Sequence, residues 1–293
     1  MGRVLVVGDV VDDLVVRPVS SVTRASDTNA EIRMHPGGSA ANVAAWLAWL
    51  GTEVTFVGRA GKGGAQRHRE ALTGLGVDAR ITEDPDRPTA TIVLTLDGHG
   101  ERTMYVDRGA NAWLSLRDLP ADAWDGTSWL HLTGYSLFDD GVRPTAIALL
   151  AEARRRGIGT SIDPSSVAFL AECGVASFLS WTHGVDIAFP NEAEAALLTG
   201  YDTPDAMARE LGRTYDNVVL TLGAAGSMVR SPVGYVVRRT AAETKVVDTT
   251  GAGDAFCAGF LAGWHAQFSR EECLRVAREV AAIAVGKTGA RPV

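Results

Sequence analysis

The chain has 293 residues, 46% of them hydrophobic and 22% charged, which is enough apolar material for a large core in one or two domains. Its formal net charge is -7 and its 28 basic residues are scattered, so neither nucleic acid nor an anionic membrane is an expected partner. Three cysteines without CxxC spacing are typical of a reducing compartment and not of a disulfide framework. These properties predict a globular protein of the cytoplasm.

The first predicted strand, Arg3–Val7, lies in an apolar run near the N-terminus. Asp9, Asp12 and Asp13 interrupt this run before it could form a signal-peptide core or span a bilayer. Further along the chain, segments rich in Val, Ile and Leu alternate with Ala-rich helical stretches, a pattern typical of a mostly parallel sheet covered by helices on both faces. The other predicted strands of this sheet are Glu53–Val57, Trp129–Leu132, Gly159–Ile162, Asp186–Phe189 and Asn217–Leu220.

Predicted helices occupy the segments between these strands. Three of them are Ala40–Leu50, Arg143–Arg156 and Ala206–Leu211, and the glycine that follows each helix is suited to a left-handed cap. These glycines are Gly51, Gly157 and Gly212. The alternation predicts an α/β fold, a three-layer α/β/α sandwich.

Two segments with polar, β-prone sequence interrupt the alternation. Thr89–Leu96 and Arg102–Asp107 predict two strands, and Asp97-Gly98-His99-Gly100 between them is typical of a hairpin loop. The stretch Val15–Met34 has no strong helical period and could add further strands. We expect a small β-sheet lid formed by about residues 12–36 and 88–109, inserted into a single domain that spans residues 1–293. Two surface hairpins without a common sheet would show the same pattern.

The segment VVDTTGAGDAF, residues 246–256, carries the most informative motif. The small residues Gly251, Ala252 and Gly253 allow backbone amides to point at one spot at the start of the next helix. Unpaired N–H groups and the helix dipole favour an anion such as phosphate there. Asp254 in the same turn would lie beside that phosphate and could accept a proton from an attacking hydroxyl. The local sequence alone is equally compatible with an N-capping turn in which Asp254 only complements the dipole.

Two other nucleotide-binding motifs are disfavoured. Phe256 occupies the third glycine position of a GxGxxG fingerprint, which argues against a Rossmann oxidoreductase. The GKT triplet at residues 286–288 is not a Walker A loop, because Ala281 stands where that loop needs glycine. The preceding stretch, Glu271–Val285, also has the pattern of a helix and not of the strand that a P-loop follows.

Five motifs, in order along the chain, resemble those of the ribokinase (PfkB) family, and the similarity spans essentially the whole chain. DTTGAGDAF resembles the C-terminal signature, and PGGSAANVA, residues 36–44, resembles the N-terminal signature. GDVVDD, residues 8–13, resembles the first-strand turn of the family. PNEAE, residues 190–194, resembles its NxxE motif, and TLGAAG, residues 221–226, its nucleotide-contacting turn. Each segment alone could be a turn or a helix cap, but their joint order argues against that interpretation.

The resemblance implies a ribokinase-like fold and ATP-dependent phosphorylation of a hydroxyl, with Mg²⁺ and, in many members, a monovalent cation such as K⁺. The implied catalytic residues are Asp254, as the base, with Gly251, Ala252 and Gly253 at the anion hole. The implied substrate-binding residues are Asp13, Gly37, Gly38 and Asn42. The implied ATP contacts are Asn191, Thr221, Gly223, Gly226 and Thr249. Asn191 and Glu194 would organise Mg²⁺ through its waters, and Asp248 would contribute to the site of the monovalent cation.

Several residues bear on the identity of the acceptor. Val11 stands where ribokinase carries an Asn, and the segment from Asp163 to Val167 lacks the Asn and nearby Arg of several sugar kinases, so ribose is not favoured. Asp9 beside Asp13 is compatible with gripping two hydroxyls. Arg108 in the predicted lid would add a cation for a negatively charged substrate.

The main hypothesis is a kinase that phosphorylates a hydroxyl, expected to be primary, of a small sugar. The alternative is a nucleoside kinase for an adenosine-, inosine- or pseudouridine-like substrate, for which Val11, Met34, Met104 and Tyr105 would provide apolar surface. A remote alternative is a non-catalytic sensor of sugars or nucleotides that kept the fold. An exposed face of the lid sheet would pair two subunits in a homodimer.

Overall fold

The computed structural model of the chain describes residues 2–23, 25–96 and 102–292. Its strands are β1 (Arg3–Val7), β2 (Val11–Pro18), β3 (Ala30–Gly37), β4 (Val54–Gly61), β5 (Asp78–Asp84), β6 (Ala90–Leu96), β7 (Arg102–Asp107), β8 (Thr127–Thr133), β9 (Gly159–Asp163), β10 (Ile187–Ala188), β11 (Asn217–Thr221), β12 (Ser227–Arg230) and β13 (Val236–Arg239). Its α-helices are α1 (Ser39–Trp49), α2 (Gly64–Gly74), α3 (Tyr135–Phe138), α4 (Arg143–Arg155), α5 (Val167–Cys173), α6 (Val175–Trp181), α7 (Glu192–Thr199), α8 (Pro204–Leu211), α9 (Ala252–His265) and α10 (Arg270–Val285).

Nine strands form the large sheet, in the order β13-β12-β11-β10-β9-β8-β1-β4-β5. Neighbouring strands from β11 to β5 are parallel, whereas β12 and β13 at one edge run antiparallel. The six strands predicted from apolar runs correspond to β1, β4, β8, β9, β10 and β11. The sequence did not predict the edge strands β5 and β13, because they carry charged residues that break the apolar pattern, nor β12, which is only four residues long.

Two hydrophobic cores lie on opposite faces of the large sheet. The first contains residues of α1, α2, α9 and α10, with Trp46 and Phe260 among the largest fully buried side chains. The second contains residues of α3 to α8, with Leu149 and Phe178 among the largest. Helices therefore cover both faces, and the predicted three-layer α/β/α architecture is confirmed.

Two of the three predicted glycine caps have the expected backbone conformation. Gly51 and Gly157 adopt positive φ angles of 81° and 68°. The prediction for Gly212 is wrong, since its φ is -65°. Beyond α8 the chain continues with right-handed turns, in which the amides of Arg213 and Thr214 donate to Glu210 and Leu211. No left-handed residue is therefore needed at Gly212.

A second sheet of four strands, in the order β3-β2-β6-β7, is called the small sheet below. Because β2 pairs with β3 and also, in parallel, with β6, the two predicted hairpin segments share one sheet. The predicted loop Asp97-Gly98-His99-Gly100 lies outside the described residues. At the base of the small sheet, Asp12 accepts hydrogen bonds from Arg67 and pairs with His68 of α2. Within the described ranges, no helix is long and apolar enough to cross a membrane.

Candidate active site

A cavity of about 610 Å³ lies where the carboxyl ends of the parallel strands meet the small sheet and the start of α9. Because parallel strands end at the same edge, residues distant in sequence converge there. Asp9 follows β1, Asp163 ends β9, and Thr221 ends β11. Each of them lines the cavity, together with Asp254 from α9.

Asp254 lies in the first turn of α9, and two side chains of α1 hold its carboxylate. Ser39 Oγ donates to one oxygen at 2.7 Å, and Asn42 Nδ2 donates to the other at 2.9 Å. Burial raises the pKa of Asp254 to about 6, although both hydrogen bonds favour the ionised form. A carboxylate with this pKa can accept a proton near neutral pH.

The turn before α9 presents backbone amides to the cavity beside Asp254. Gly251 caps the helix with a φ of 73°, and a Cβ at this position would lie 2.6 Å from the Cβ of Ala290. The Ala252 amide already donates to the Thr249 carbonyl at 3.3 Å. An α-helix leaves its first amides without intrahelical acceptors, so Gly253 and Asp254 are the better donors to an anion.

Asp13 from β2 also faces the cavity. Its carboxylate has no hydrogen-bond partner in the part of the chain that the structure describes, and burial raises its pKa to about 7. Gly37 permits this placement, since a Cβ there would lie 2.0 Å from Asp13 Oδ2. A buried acid without a partner is suited to accept hydrogen bonds from substrate hydroxyls.

Asp9 lines the cavity, but its carboxylate is already engaged within the protein. It accepts hydrogen bonds from the amides of Ser39 and Ala40, at 2.7 and 3.2 Å, and from the Thr133 hydroxyl at 3.1 Å. Gly38, with a φ of 98°, lets α1 start directly against the Asp9 backbone. Asp9 therefore caps α1 and fixes its position below the cavity.

Two other expected substrate residues, Asn42 and Arg108, also have partners in the protein. The Asn42 amide lies between Asp254 and the guanidinium of Arg291, so both of its polar atoms are used. Arg108 lines the cavity, donates to the Tyr135 carbonyl at 2.6 Å and lies 3.8 Å from Asp139. Of the expected substrate-binding carboxylate and amide side chains, Asp13 is the one whose polar atoms remain available among the described residues.

Asn191 and Glu194 form a capping box at the start of α7. Glu194 Oε2 accepts from the Asn191 amide at 3.0 Å, and Asn191 Oδ1 accepts from the Glu194 amide at 2.9 Å. Both residues line the cavity, as does Asp163. Burial raises the pKa values of Asp163 and Glu194, and repulsion by Glu194 raises the pKa of Asp163 further. A cation bound near them would relieve that repulsion.

The expected nucleotide contacts divide into two groups. Asn191, Thr221 and Thr249 line the cavity, whereas Gly223 and Gly226 lie outside the lining that the described residues form. Gly226 has a φ of 104°, and a Cβ there would lie 2.0 Å from the Arg239 carbonyl of β13. Close packing against the edge strand therefore accounts for the glycine at 226.

Asp248 joins the turn before α9 to the loop after α10. Its Oδ1 accepts from the amide and the hydroxyl of Thr250, and its Oδ2 accepts from the Gly289 amide at 3.2 Å. This contact places Asp248, which was expected at the site of a monovalent cation, against the loop after α10.

The sequence analysis did not identify Arg291 or Ser39 as site residues. Ser39 stands inside the N-terminal signature, and its place before a predicted helix could have indicated a polar role there. No local signal marks Arg291, which follows α10 and reaches residues about 250 positions earlier in the chain.

Comparisons with known proteins show the family of this chain. The model of the pfkB family of carbohydrate kinases matches residues 1–293. A fructokinase of Klebsiella pneumoniae is 32% identical over an alignment of 275 positions that covers 89% of this chain and 84% of the relative.

Solved structures give the same result. An adenosine kinase from Sinorhizobium meliloti has a TM-score of 0.90 and 26% identity, covering 100% of this chain and 96% of that chain. A fructokinase from Vibrio cholerae O395, bound to fructose, ADP and a calcium ion, has a TM-score of 0.85 and 28% identity, covering 99% and 94%. The predicted resemblance to the ribokinase family is thus confirmed. The chain belongs to the pfkB family of carbohydrate kinases and is a phosphotransferase with an alcohol group as acceptor.

Proposed function

We propose that this enzyme transfers the γ-phosphate of ATP to a primary hydroxyl of a small sugar, with Asp254 as the general base. The observation that carries the proposal is the position of Asp254, whose carboxylate lies in the cavity at the N-terminus of α9 with a pKa raised to about 6. A base at that position can take a proton from a hydroxyl while the helix N-terminus holds the phosphate.

In this mechanism, Asp13 accepts hydrogen bonds from the acceptor hydroxyls and orients the reacting one toward Asp254. Asp254 removes its proton as the oxygen attacks the γ-phosphorus, while the bond from that phosphorus to the β-phosphate oxygen breaks and ADP leaves. The amides of Gly253 and Asp254 stabilise the negative charge that builds on the phosphate oxygens. Ser39 and Asn42 keep the carboxylate aimed at the hydroxyl. The protein thus contributes position and electrostatics.

The residues of the cavity fit a magnesium ion bound together with the nucleotide. Mg²⁺ keeps several waters and is usually held by one or two carboxylates plus substrate phosphates. Glu194, with Asn191 at the same helix start, would supply that carboxylate side. Across the described residues, no cluster of three His, Cys, Asp or Glu side chains could hold a metal alone, in keeping with this mode. A monovalent cation at the Asp248 loop is a further part of the proposal.

A nucleoside acceptor is the second candidate, and an apolar strip on the small sheet favours it. The side chains of Val15, Ile92, Leu94, Met104 and Val106 line the cavity beyond Asp13. Such a strip would cover the base of a nucleoside whose ribose lies at Asp13.

Of the residues first considered for this role, Val11 and Met104 line the cavity, whereas Met34 and Tyr105 lie on the opposite face of the small sheet.

That opposite face is exposed at Ile32, Met34 and Tyr105, by 64%, 54% and 62%. We propose that two subunits pair through it. A cytoplasmic location also stays a prediction.

The test is ADP release from MgATP against a panel of sugars and nucleosides, with Asp254→Asn in parallel. Turnover with one compound class is expected, and the variant should lose about 10²- to 10⁴-fold in kcat while still binding ATP. Undiminished kcat in Asp254→Asn would contradict the role of the base. If no compound of the panel causes ADP release although the protein binds ATP, the result would favour an untested acceptor or the sensor hypothesis.

A further inference from the structure

The loop after α10, residues 286–292, runs beneath the active site and is fixed there by several contacts. Trp46 Nε1 donates to the Ala290 carbonyl at 2.8 Å, and Lys287 Nζ donates to the Arg291 carbonyl at 2.5 Å. Asp248 accepts from the Gly289 amide. Trp46 and Asp248 come from distant parts of the chain, so the backbone of the loop around Arg291 has a defined position.

The side chain of Arg291 is buried, with 8% of its surface exposed. Its Nε donates to Asn42 Oδ1 at 3.0 Å, and its Nη2 donates to the Gly37 carbonyl at 2.6 Å. Its Nη1 is buried without a hydrogen-bond partner among the described residues. Arg291 lies outside the cavity lining that those residues form. Burying a charge in this way is costly, and this side chain fixes two positions of the N-terminal signature.

Asn42 connects Arg291 to Asp254. An amide side chain has one accepting end and one donating end. Because Arg291 donates to Oδ1, the Nδ2 group must point the other way, where it donates to Asp254 Oδ2 at 2.9 Å. If the amide turned over, its oxygen would face the carboxylate and repel it. Arg291 therefore fixes the orientation of Asn42, and Asn42 fixes that of Asp254.

The charges around Asp254 give Arg291 a second effect. The ionisable groups that face Asp254 come from the first-strand turn, β2, α3, β9, α9 itself and the C-terminal loop. They are Asp9, Asp13, Tyr135, Asp163, Cys257 and Arg291. Arg291 is the cation in this group, and it favours the ionised form of Asp254, whereas the neighbouring carboxylates oppose it. Burial lowers the pKa of Arg291 to about 10, so it stays protonated at neutral pH.

We propose that Arg291 is a positioning residue for phosphoryl transfer, which acts through Asn42 to orient the carboxylate of Asp254 without touching the substrate. The proposal rests on the function proposed for Asp254. The effect of the charge of Arg291 and the effect of its hydrogen bonds can be tested separately, since lysine keeps the charge but cannot make both hydrogen bonds from one planar group.

The experiment compares Arg291→Met, Arg291→Lys and the control Arg278→Met with the unmodified protein. Arg278 lies on α10, also has a buried Nε without a partner, and shares no hydrogen bond with Asn42 or Asp254 within the described residues. The pKa of the Asp254 carboxyl is measured by ¹³C NMR in the ATP-free protein, with Asp254→Asn to assign the signal. Kinetic constants are measured with MgATP and the acceptor found by the panel.

In Arg291→Met we expect the pKa of Asp254 to rise by about one pH unit. The kcat should fall about 10- to 100-fold through misorientation of the base, with the KM for ATP close to its original value. Arg291→Lys should keep the pKa near its original value but still lose kcat. Arg278→Met should match the unmodified protein in both measurements.

A double-mutant cycle tests whether Arg291 acts through Asn42. In Asn42→Ala, adding Arg291→Met should cause little further loss of kcat, because the connection is already broken. Two results would overturn the proposal and leave Arg291 with a structural role only. One is a double variant whose loss of kcat equals the product of the losses in the two single variants, and the other is an unchanged pKa of Asp254 in Arg291→Met.

The experiment also distinguishes a variant that fails to fold from a failure of the proposed function. If Arg291→Met does not fold, Arg291→Gln removes the charge and keeps one hydrogen-bond donor, so the pKa of Asp254 should still rise whereas the loss of kcat should be smaller. If Asp254→Asn keeps full turnover, the proposed function is wrong. The NMR titration does not depend on turnover and still tests the link between Arg291 and Asp254.

Discussion

Asp13 and Asp254 are the two carboxyl groups assigned to the acceptor, and burial raises the pKa of both. Their values are about 7 and about 6, compared with an ordinary 3.8. Both groups must be ionised in the proposed mechanism, Asp13 to accept hydrogen bonds and Asp254 to accept a proton. Activity is therefore lost as the pH falls through these two values.

We predict that kcat/KM for the acceptor, which at saturating MgATP reports the ionisation of the nucleotide-bound enzyme before the acceptor binds, declines below about pH 7. Its logarithm should fall with a slope approaching two below about pH 6, since two protons then inactivate the enzyme. The measurement is a pH profile at saturating MgATP. A decline that starts only near pH 4 would contradict the assignment of both groups.

The variant Asp13→Asn provides the control for this profile. It removes one of the two ionisations, so the slope should fall to one and the midpoint should move toward about pH 6. The kcat/KM value of the variant should also be lower at every pH, because an amide binds hydroxyls less strongly than a carboxylate.

At the scale of elements, the turn that starts α9 depends on the absence of a side chain at Gly251. We predict that Gly251→Ala destabilises the protein by more than Gly51→Ala. Both positions have positive φ, which costs about 1–2 kcal/mol for alanine. At Gly51 there is open space, whereas at Gly251 the new Cβ would meet Ala290 at 2.6 Å.

Urea denaturation of both variants measures this difference, and kcat shows its effect on the site. Gly251→Ala should lose activity because the amides at the start of α9 move, while Gly51→Ala should keep it. Equal loss of stability in the two variants would show that Ala290 does not restrict the turn.

The small sheet is the second element with a testable role. Its pocket-facing side chains would cover a bound acceptor and exclude water from the reaction. We predict slower hydrogen exchange in the peptides of β6 and β7 when the acceptor binds, and no such change with ATP alone. Unchanged exchange with a bound acceptor would argue against closure of the small sheet.

At the scale of the whole molecule, the exposed outer face of the small sheet predicts self-association. Sedimentation should show a dimer, and Met34→Glu should give a monomer because a charge would be buried in the interface. Val233→Glu is the matched control, since Val233 is 91% exposed in the turn between β12 and β13, outside the small sheet, and this variant should stay dimeric. A monomeric unmodified protein would contradict the prediction.

The sequence by itself predicted the layered fold and the turn that is proposed to be catalytic. Apolar runs of strand length predicted the buried strands of the large sheet, since parallel strands covered on both faces must be apolar throughout. The GAG-Asp segment predicted the anion hole and Asp254 because all of these residues lie in one helical turn. Edge strands such as β5 were not predicted, because an edge strand is partly exposed and can carry charged residues that interrupt the apolar pattern.

Tertiary structure alone decided which polar side chains remain available to a substrate. Asp9, Asn42 and Asp13 are equally polar in the sequence, but folding brings Ser39 and Ala40 to Asp9 and brings Arg291 to Asn42, and leaves Asp13 facing the cavity. The contact between Arg291 and Asn42 joins residues 249 positions apart. Local patterns record the period of a helix or a strand, whereas a contact of this kind exists only once the C-terminal loop has packed beneath α1.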